Sequence, residues 1–75
     1  MLYLYKLRED EVYDEESVVH TAWGVTVSDA HGEVLRSIGD VFLDKKRAEA
    51  FVEKCNKSQL SPIHLLDVIE DVLAE

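Results

Sequence analysis

Apolar and polar residues alternate in the N-terminal half of the chain and change to a helical period in the C-terminal half. Between residues 18 and 29, Val19, Trp23 and Val27 share a face at period two, which is typical of a strand with one buried side. The Asp29–Gly32 segment predicts a type I turn followed by a left-handed glycine, so the chain should return antiparallel. The pattern predicts strands over residues 2–8, 18–29 and 33–43.

The facing of the third predicted strand is ambiguous. Pairing Asp29 with Glu33 places Gly39 opposite Trp23, where the aromatic ring would cover a strand glycine. The same register turns three apolar residues away from the Trp23 face: Val34, Ile38 and Phe42. Either a bulge at Gly39 changes the facing, or both faces of the sheet are partly buried.

The C-terminal half predicts two helices, over residues 45–56 and 62–74. Asp44 suits the N-cap of the first helix, and Ser61-Pro62 suit the N-cap and first position of the second. Apolar residues recur along one face of each. The order β-β-β-α-α predicts a single α+β domain over residues 1–75, in which both helices pack on one face of a three-stranded antiparallel sheet.

Eight basic and sixteen acidic residues give a net charge of −8. This charge argues against nucleic acid and anionic membranes as partners, because both are negatively charged. The charge is compatible with a basic protein partner, and it is equally explained by the need to keep a protein soluble. Six of the eight residues in Glu9–Glu16 are acidic, which predicts a solvated loop or hairpin tip.

Cysteine content and hydropathy indicate in which cellular compartment the protein resides. Cys55 is the single cysteine, so no intramolecular disulfide can form, and no Cys/His cluster suggests zinc. The apolar Met1–Leu7 stretch is too short for a signal peptide, and no apolar run is long enough to span a membrane. We therefore expect a cytoplasmic protein.

Two groups of residues are candidates for ligand or partner binding. His64, Asp67 and Asp71 share a helix face and could ligate a metal, although such acids are more often simply solvated. The alternative interpretation is that this helix face binds no metal. The basic cluster could dock an acidic segment, either Glu9–Glu16 of the same chain or of a second copy, or be an ordinary solvated helix start. That cluster is Lys45, Lys46 and Arg47.

The remaining candidates point away from catalysis. Tyr3 and Tyr5 lie on an expected edge strand, where exposed rings would favour contact with a partner. Cys55 follows Phe51 on the apolar helix face, which predicts a buried, inert thiol rather than a reactive one. No Ser/His/Asp grouping, phosphate-binding glycine loop or HExxH motif is present. We expect neither a cofactor nor an enzymatic activity.

The C-terminal half resembles a family of short, uncharacterised proteins from clostridia-like Firmicutes. The most specific segment is Leu60-Ser61-Pro62-Ile63-His64-Leu65, and the resemblance extends over roughly residues 20–73. The other matching segments are Trp23-Gly24-Val25, Asp44-Lys45-Lys46, Cys55-Asn56-Lys57 and Asp67-Val68-Ile69-Glu70-Asp71. The resemblance implies a bacterial cytosolic protein and supplies no activity, cofactor or catalytic residue.

Three functions are compatible with these features. The leading hypothesis is a non-catalytic interaction or regulatory module, self-associating as a homo-oligomer, because a small core often gains stability that way. The second is an acidic decoy or regulator that binds a basic protein surface. The third is a small metal-dependent binder or enzyme that uses His64, Asp67 and Asp71.

Overall fold

A computed structural model describes residues 2–74; Met1 and Glu75, the two ends of the expected domain, lie outside the described residues. The chain forms three strands followed by two helices, which confirms the predicted β-β-β-α-α order. The elements are β1 (Leu4–Tyr13), β2 (Val19–Ser28), β3 (Val34–Phe42), α1 (Lys45–Ser58), a 3₁₀ turn (Pro62–His64) and α2 (Leu65–Leu73).

The strands form one antiparallel sheet in the order β1-β2-β3, so β2 is central and β1 and β3 are edges. The predicted first strand stopped too early, because β1 continues through the acidic residues to Tyr13. Alternation puts Glu9 and Glu11 on one face and Asp10 on the other, so that like charges are spread within an extended strand. Only residues 14–16 of the Glu9–Glu16 run lie in the turn into β2.

The turn from β2 to β3 has the predicted chemistry. The Asp29 carboxylate accepts hydrogen bonds from the backbone N–H groups of His31, at 2.9 Å, and Glu33, at 3.0 Å. Gly32 has a φ of 85°, in the left-handed region where glycine is favoured. The turn therefore sets the start of β3 from local sequence alone.

The register of β3 contains two irregularities. Val34 lies opposite Ser28 and Arg36 opposite Val27, so one residue is inserted near the start of the strand. A larger insertion follows, because Ile38 lies opposite Val25 whereas Phe42 lies opposite Trp23.

The expected pairing of Gly39 with Trp23 is therefore wrong. A bulge does lie at Gly39, as the alternative predicted, but the one-residue insertion near Leu35 is what changes the facing of the strand. The insertion near Leu35 turns Ile38 toward the helices, and the bulge at Gly39, in which Asp40 has a φ of 54°, inserts two residues and so keeps Phe42 on the same side. A Cβ on Gly24 would collide with the Ile38 carbonyl oxygen and lie 2.7 Å from the Gly39 Cα. Two glycines thus let the backbones of β2 and β3 approach closely where the register changes.

Both helices pack on the face of the sheet that carries Tyr5 and Val25, as predicted. We call the other face the open face. Burial of apolar surface on the helix side is the main stabilising contribution available to a chain of this size. The buried core consists of Tyr5, Val25, Val27, Phe42, Ala48, Phe51, Cys55, Leu65 and Ile69.

The helix ends agree with the sequence signals in part. Asp44 caps α1 by accepting from the Lys46 N–H at 3.0 Å, and the left-handed Gln59 ends the helix. Ser61 makes no side-chain capping bond, and the chain begins a 3₁₀ turn in which the His64 N–H donates to the Ser61 carbonyl at 2.9 Å. The second α-helix therefore begins at Leu65, later than predicted.

Candidate interaction surface

The β1–β2 hairpin extends beyond the rest of the sheet. Pairing of β2 with β3 ends at Trp23, opposite Phe42, and the core packing on the helix side also ends at Trp23. Pairing of β1 with β2 continues from there to Tyr13 and Val19. We call the two-stranded segment of residues 9–22 the arm; it belongs to a molecule with extents of 44 × 28 × 19 Å.

The helix side of the arm is uncovered. Its five side chains are all exposed, and Tyr13 retains 65% of its surface. We call this surface the arm face: Glu9, Glu11, Tyr13, Val19 and Thr21. Two acids and two large apolar side chains therefore stand in solvent on a ribbon that the helices do not reach.

The opposite side of the arm is neutralised by a polar network. The Arg8 guanidinium donates to the Asp10 carboxylate at 2.8 Å and to the Ser37 hydroxyl at 2.8 Å. The Ser37 and Thr26 hydroxyl oxygens lie 2.9 Å apart, which continues the network across all three strands.

Asp10 is held in place from a second direction. Its Oδ2 is buried without a hydrogen-bond partner among the described residues, and a Cβ on Gly39 would lie 2.6 Å from it. The β3 bulge therefore closes over this carboxylate, while Arg8 compensates its charge. In residues 2–74, by contrast, no ion pair involves Glu9 or Glu11.

The tip of the arm is an ordered turn. The Asp14 carboxylate accepts from the N–H groups of Glu16 and Val18, each at 2.9 Å, and lies 3.0 Å from the His20 imidazole. The hydrogen bond with His20, followed by those with the backbone, lowers the pKa of Asp14 below its ordinary value. The tip consequently holds the hairpin register without help from the core.

The outer edge of β1 is closed at its N-terminal end by two side-chain amides from the end of α1. Gln59 accepts from the Tyr3 N–H at 2.8 Å and donates to the Tyr3 carbonyl at 3.0 Å. Asn56 accepts from the Tyr5 N–H at 2.7 Å and donates to the Tyr5 carbonyl at 2.9 Å. The two amides bond the strand as a neighbouring strand would.

The expected exposure of Tyr5 is wrong, and its backbone groups are also occupied. Its ring is 1% exposed, and its hydroxyl donates to the Leu60 carbonyl. Burial, with smaller contributions from Cys55 and Tyr3, raises the pKa of Tyr5 to about 12. Tyr3 is half-buried against the core. The physical reason is that the ring of Tyr5 points to the helix face, which alternation along β1 alone could not reveal.

Asn56 and Gln59 were missed by sequence reasoning. Their spacing of three at the end of an amphipathic helix was visible, but such amides are usually solvated. Only the docking of α1 on the sheet places them beside β1. The predicted end of that helix at Asn56 was close to the observed one at Ser58.

The basic cluster at the start of α1 does not contact the acidic run of its own chain. Lys45 lies 3.9 Å from Glu49 on the same helix. The Arg47 guanidinium lies 5.7 Å from the centre of the Phe42 ring and donates weakly to the Val72 carbonyl at 3.4 Å. Lys46 is exposed, and its described hydrogen bond is the backbone one to Asp44. Within residues 2–74, no ion pair joins the cluster to Glu9–Glu16.

The proposed metal ligands and the cysteine also have defined positions. His64, Asp67 and Asp71 are exposed, and His64 lies in the 3₁₀ turn rather than on α2. No three His, Cys, Asp or Glu side chains between residues 2 and 74 converge as a metal site would require. Cys55 is buried, as predicted, and burial raises the pKa of its thiol to about 11. It is therefore a packing residue.

The remaining candidates among residues 2–74 are a membrane-spanning helix and a ligand pocket. None of the helices within residues 2–74 is long and apolar enough to cross a membrane. A depression of about 450 Å³ lies beside the closed end of β1 and opens to solvent. Its lining residues are Leu2, Tyr3, Leu4, Asp29, Ala30, Asn56 and Gln59. It contains one carboxylate and no paired acid and base, so the arm remains the more distinctive surface.

Comparison with known proteins places the chain in a family. The chain belongs to DUF6514, a family of unknown function, whose model matches residues 1–75. The match includes the Glu9–Glu16 run, to which the C-terminal resemblance did not extend. No curated protein and no solved structure matches the chain significantly.

Proposed function

We propose that this member of the DUF6514 family is a non-catalytic interaction or regulatory module of the bacterial cytosol, and that the arm face is where it binds a partner. The observation that carries the proposal is the arm itself. Glu9, Glu11, Tyr13 and Val19 stand in solvent on the side of a projecting ribbon that the helices do not reach, beyond the end of the pairing between β2 and β3. A ribbon of this kind contributes little to the core, so its length is explained better by binding than by folding.

The chemistry of the arm face favours a basic protein partner. Its two glutamates have no ion pair within residues 2–74, whereas Asp10 on the other side is paired with Arg8. The net charge of −8 adds long-range attraction for a cationic surface. Tyr13 and Val19 supply apolar area beside the charges, as binding surfaces commonly do.

Binding is favoured over catalysis by the environment of the reactive groups. The thiol of Cys55 is buried and its raised pKa keeps it protonated at neutral pH. The hydroxyl of Tyr5 is likewise held by the Leu60 carbonyl. Buried positions of this kind do not present an attacking group to a substrate beside a general base, as nucleophilic catalysis requires.

The test compares three immobilised full-length chains as baits in extract of the source organism. One is the natural chain, one carries Glu9→Lys with Glu11→Lys, and the matched control carries Glu15→Lys with Glu16→Lys at the tip. Both variants change the net charge equally. We expect a stoichiometric protein to be retained by the natural chain and the tip control, and lost from the arm-face variant. Raising salt from about 50 mM to about 500 mM should release it.

Two results would contradict this function. The first is that no stoichiometric protein is retained by any bait. The second is that all three baits retain the same protein with equal salt dependence, because binding would then lie elsewhere. Thermal unfolding of each variant before use ensures that a lost partner does not reflect a lost fold.

Self-association is a second candidate, and a separate observation favours it. On the open face, Leu4 and Val34 flank Ser28 in register, and they are 46% and 57% exposed. Two such faces could bury these side chains against each other. Sedimentation equilibrium at micromolar concentration should then show a dimer that Leu4→Lys dissociates. A monomer in the natural chain would rule this candidate out.

A further inference from the structure

We infer that the partner binds by adding a fourth strand: a basic, extended segment pairs with the outer edge of β1 between Leu7 and Tyr13. This inference rests on the proposed function and specifies the partner's conformation and sequence pattern. It is argued from the backbone of the edge, the pattern of its charges, and the contrast with the other edges of the sheet.

The backbone of this part of β1 has unused hydrogen-bonding capacity. In an antiparallel strand, alternate residues direct both N–H and C=O to the same side. The groups of Tyr3 and Tyr5 point outward, where Gln59 and Asn56 bind them. Leu7, Glu9 and Glu11 have the same parity, so their groups also point outward. No hydrogen bond within residues 2–74 reaches these outward groups.

Two other stretches of edge in the sheet are protected against pairing. The N-terminal end of β1 is closed by the amides of Asn56 and Gln59. The β3 edge is interrupted near Leu35 and again around Gly39 and Asp40, which breaks the regular spacing that an added strand needs. The stretch from Leu7 to Tyr13 is regular throughout its pairing with β2. The open edge of β2 in the arm spans only residues 19–22, so the stretch of β1 is the longer one and the edge best suited to accept a strand.

The side chains on this edge define the partner's pattern. Glu9 and Glu11 lie on the same face, and an added strand would place one residue directly opposite each, with Cβ atoms about 5 Å apart. Those two partner residues are separated by one position. A Lys-x-Lys or Arg-x-Arg sequence would consequently pair both glutamates, and apolar residues two positions further on would meet Leu7 and Tyr13.

The same charges argue against a second copy of this chain as the occupant. Antiparallel self-pairing of β1 centred on Glu9, Asp10 or Glu11 places at least one glutamate directly opposite another. Like charges directly opposite destabilise a strand pair. A basic strand gains charge pairing in the same geometry, and we therefore assign the edge to a partner of that chemistry.

The first experiment uses the isotope-labelled full chain and a capped peptide, Val-Thr-Lys-Thr-Lys-Thr-Val, as the probe. Near saturation, we expect hydrogen exchange at the Glu9 and Glu11 amides to slow by at least about threefold, because both N–H groups gain acceptors. The control peptide is methylated on the backbone nitrogens of both lysines. It keeps the side-chain charges, but those two residues cannot donate a backbone hydrogen bond to the edge. It should bind more weakly and give no protection.

A variant of the chain tests the same edge from the other side. Glu9→Pro removes an outward N–H and leaves the bonds from β1 to β2 in place, whereas Glu9→Gln removes only the charge. We expect Glu9→Pro to abolish protection at Glu11, and Glu9→Gln to weaken binding while protection at Glu11 persists at saturation. If Glu9→Pro unfolds the chain, the N-methylated peptide on the natural chain still decides the question.

Four outcomes would overturn the inference. One is binding of the N-methylated peptide as tightly as the parent peptide, and another is binding of the parent without protection of Glu9 and Glu11. The third is the same protection at high protein concentration without peptide, which would make a second copy the occupant. A partner that is lost on charge reversal of the arm face and still retained by folded Glu9→Pro would leave the proposed function standing while overturning strand addition.

Discussion

The two ends of the same hairpin have opposite environments. We call the part of the sheet beneath the helices the base. Val27, in the base, and Val19, in the arm, lie on the same strand and the same face, yet Val27 is fully buried and Val19 is 48% exposed. The strand pattern is the same at both positions. What differs is the reach of the helices, which ends at Trp23.

The edge of β1 shows the same contrast. In the base, the outward groups of Tyr3 and Tyr5 are bound by Gln59 and Asn56. From Leu7 into the arm, at Glu9 and Glu11, the outward groups have no such partners among the described residues. In the base, therefore, the helices cover apolar side chains, and side chains at the end of α1 also close the edge of β1. The arm, which receives neither, is free to bind something else.

The largest expected difference comes from the same substitution made at both ends of β2. Val27→Ala should lower the free energy of unfolding by about 2 kcal/mol, because it removes buried methyl groups and leaves a cavity. Val19→Ala should change it by less than about 0.5 kcal/mol, since the side chain is half-exposed. Urea denaturation of the two variants checks this. Equal losses would mean that the arm is covered in solution, and the distinction between arm and base would fail.

A smaller effect should follow from opening the closed edge. Asn56→Ala leaves the N–H and C=O of Tyr5 without their side-chain partners, which should cost about 1–2 kcal/mol. It should also speed hydrogen exchange at the Tyr5 amide, with no change at Glu11 in the arm. Lys57→Ala, next in sequence and on an exposed ion pair, is the matched control and should leave both readouts unchanged. Unaltered exchange at Tyr5 in Asn56→Ala would show that the amide does not close the edge.

The smallest expected effect on stability at neutral pH comes from the raised pKa values of Tyr5 and Cys55, and it becomes measurable in alkaline solution. Burial raises the pKa of Tyr5 from 10.0 to about 12 and that of Cys55 from 9.0 to about 11. Because the folded-state values are the higher ones, this stabilisation is fully present below about pH 9 and is lost as pH rises toward about 12. Thermal unfolding measured across that range should therefore show falling stability, with a flatter decline in Tyr5→Phe.

Tyr13→Phe provides the matched control, because Tyr13 is 65% exposed in the arm. It should retain the natural chain's decline in stability over the same pH range. A flatter decline in Tyr13→Phe than in Tyr5→Phe would contradict the assignment of the alkaline loss of stability to Tyr5. Cys55→Val should flatten the earlier part of the transition, between about pH 9 and 11.

Local patterns in the sequence determined most of the architecture. Period-two alternation predicted β2, Asp29 and Gly32 predicted the turn that follows it, and Asp44 predicted the start of α1. These signals are reliable because each depends on neighbouring residues alone. The burial of Cys55 was likewise predicted from the apolar face of one helix. The order of the elements, and hence the α+β fold class, followed from them.

The tertiary structure decided the features on which the proposed function depends. The acidic run continues β1 because pairing with β2 outweighs repulsion among side chains that alternate between two faces. The insertion near Leu35 brings Ile38 and Phe42 to the core, and Asn56 meets Tyr5 only after α1 docks. Whether a side chain is covered or an edge is closed depends on elements distant along the chain. A periodic pattern states which face of an element is apolar, but not how far another element extends over it.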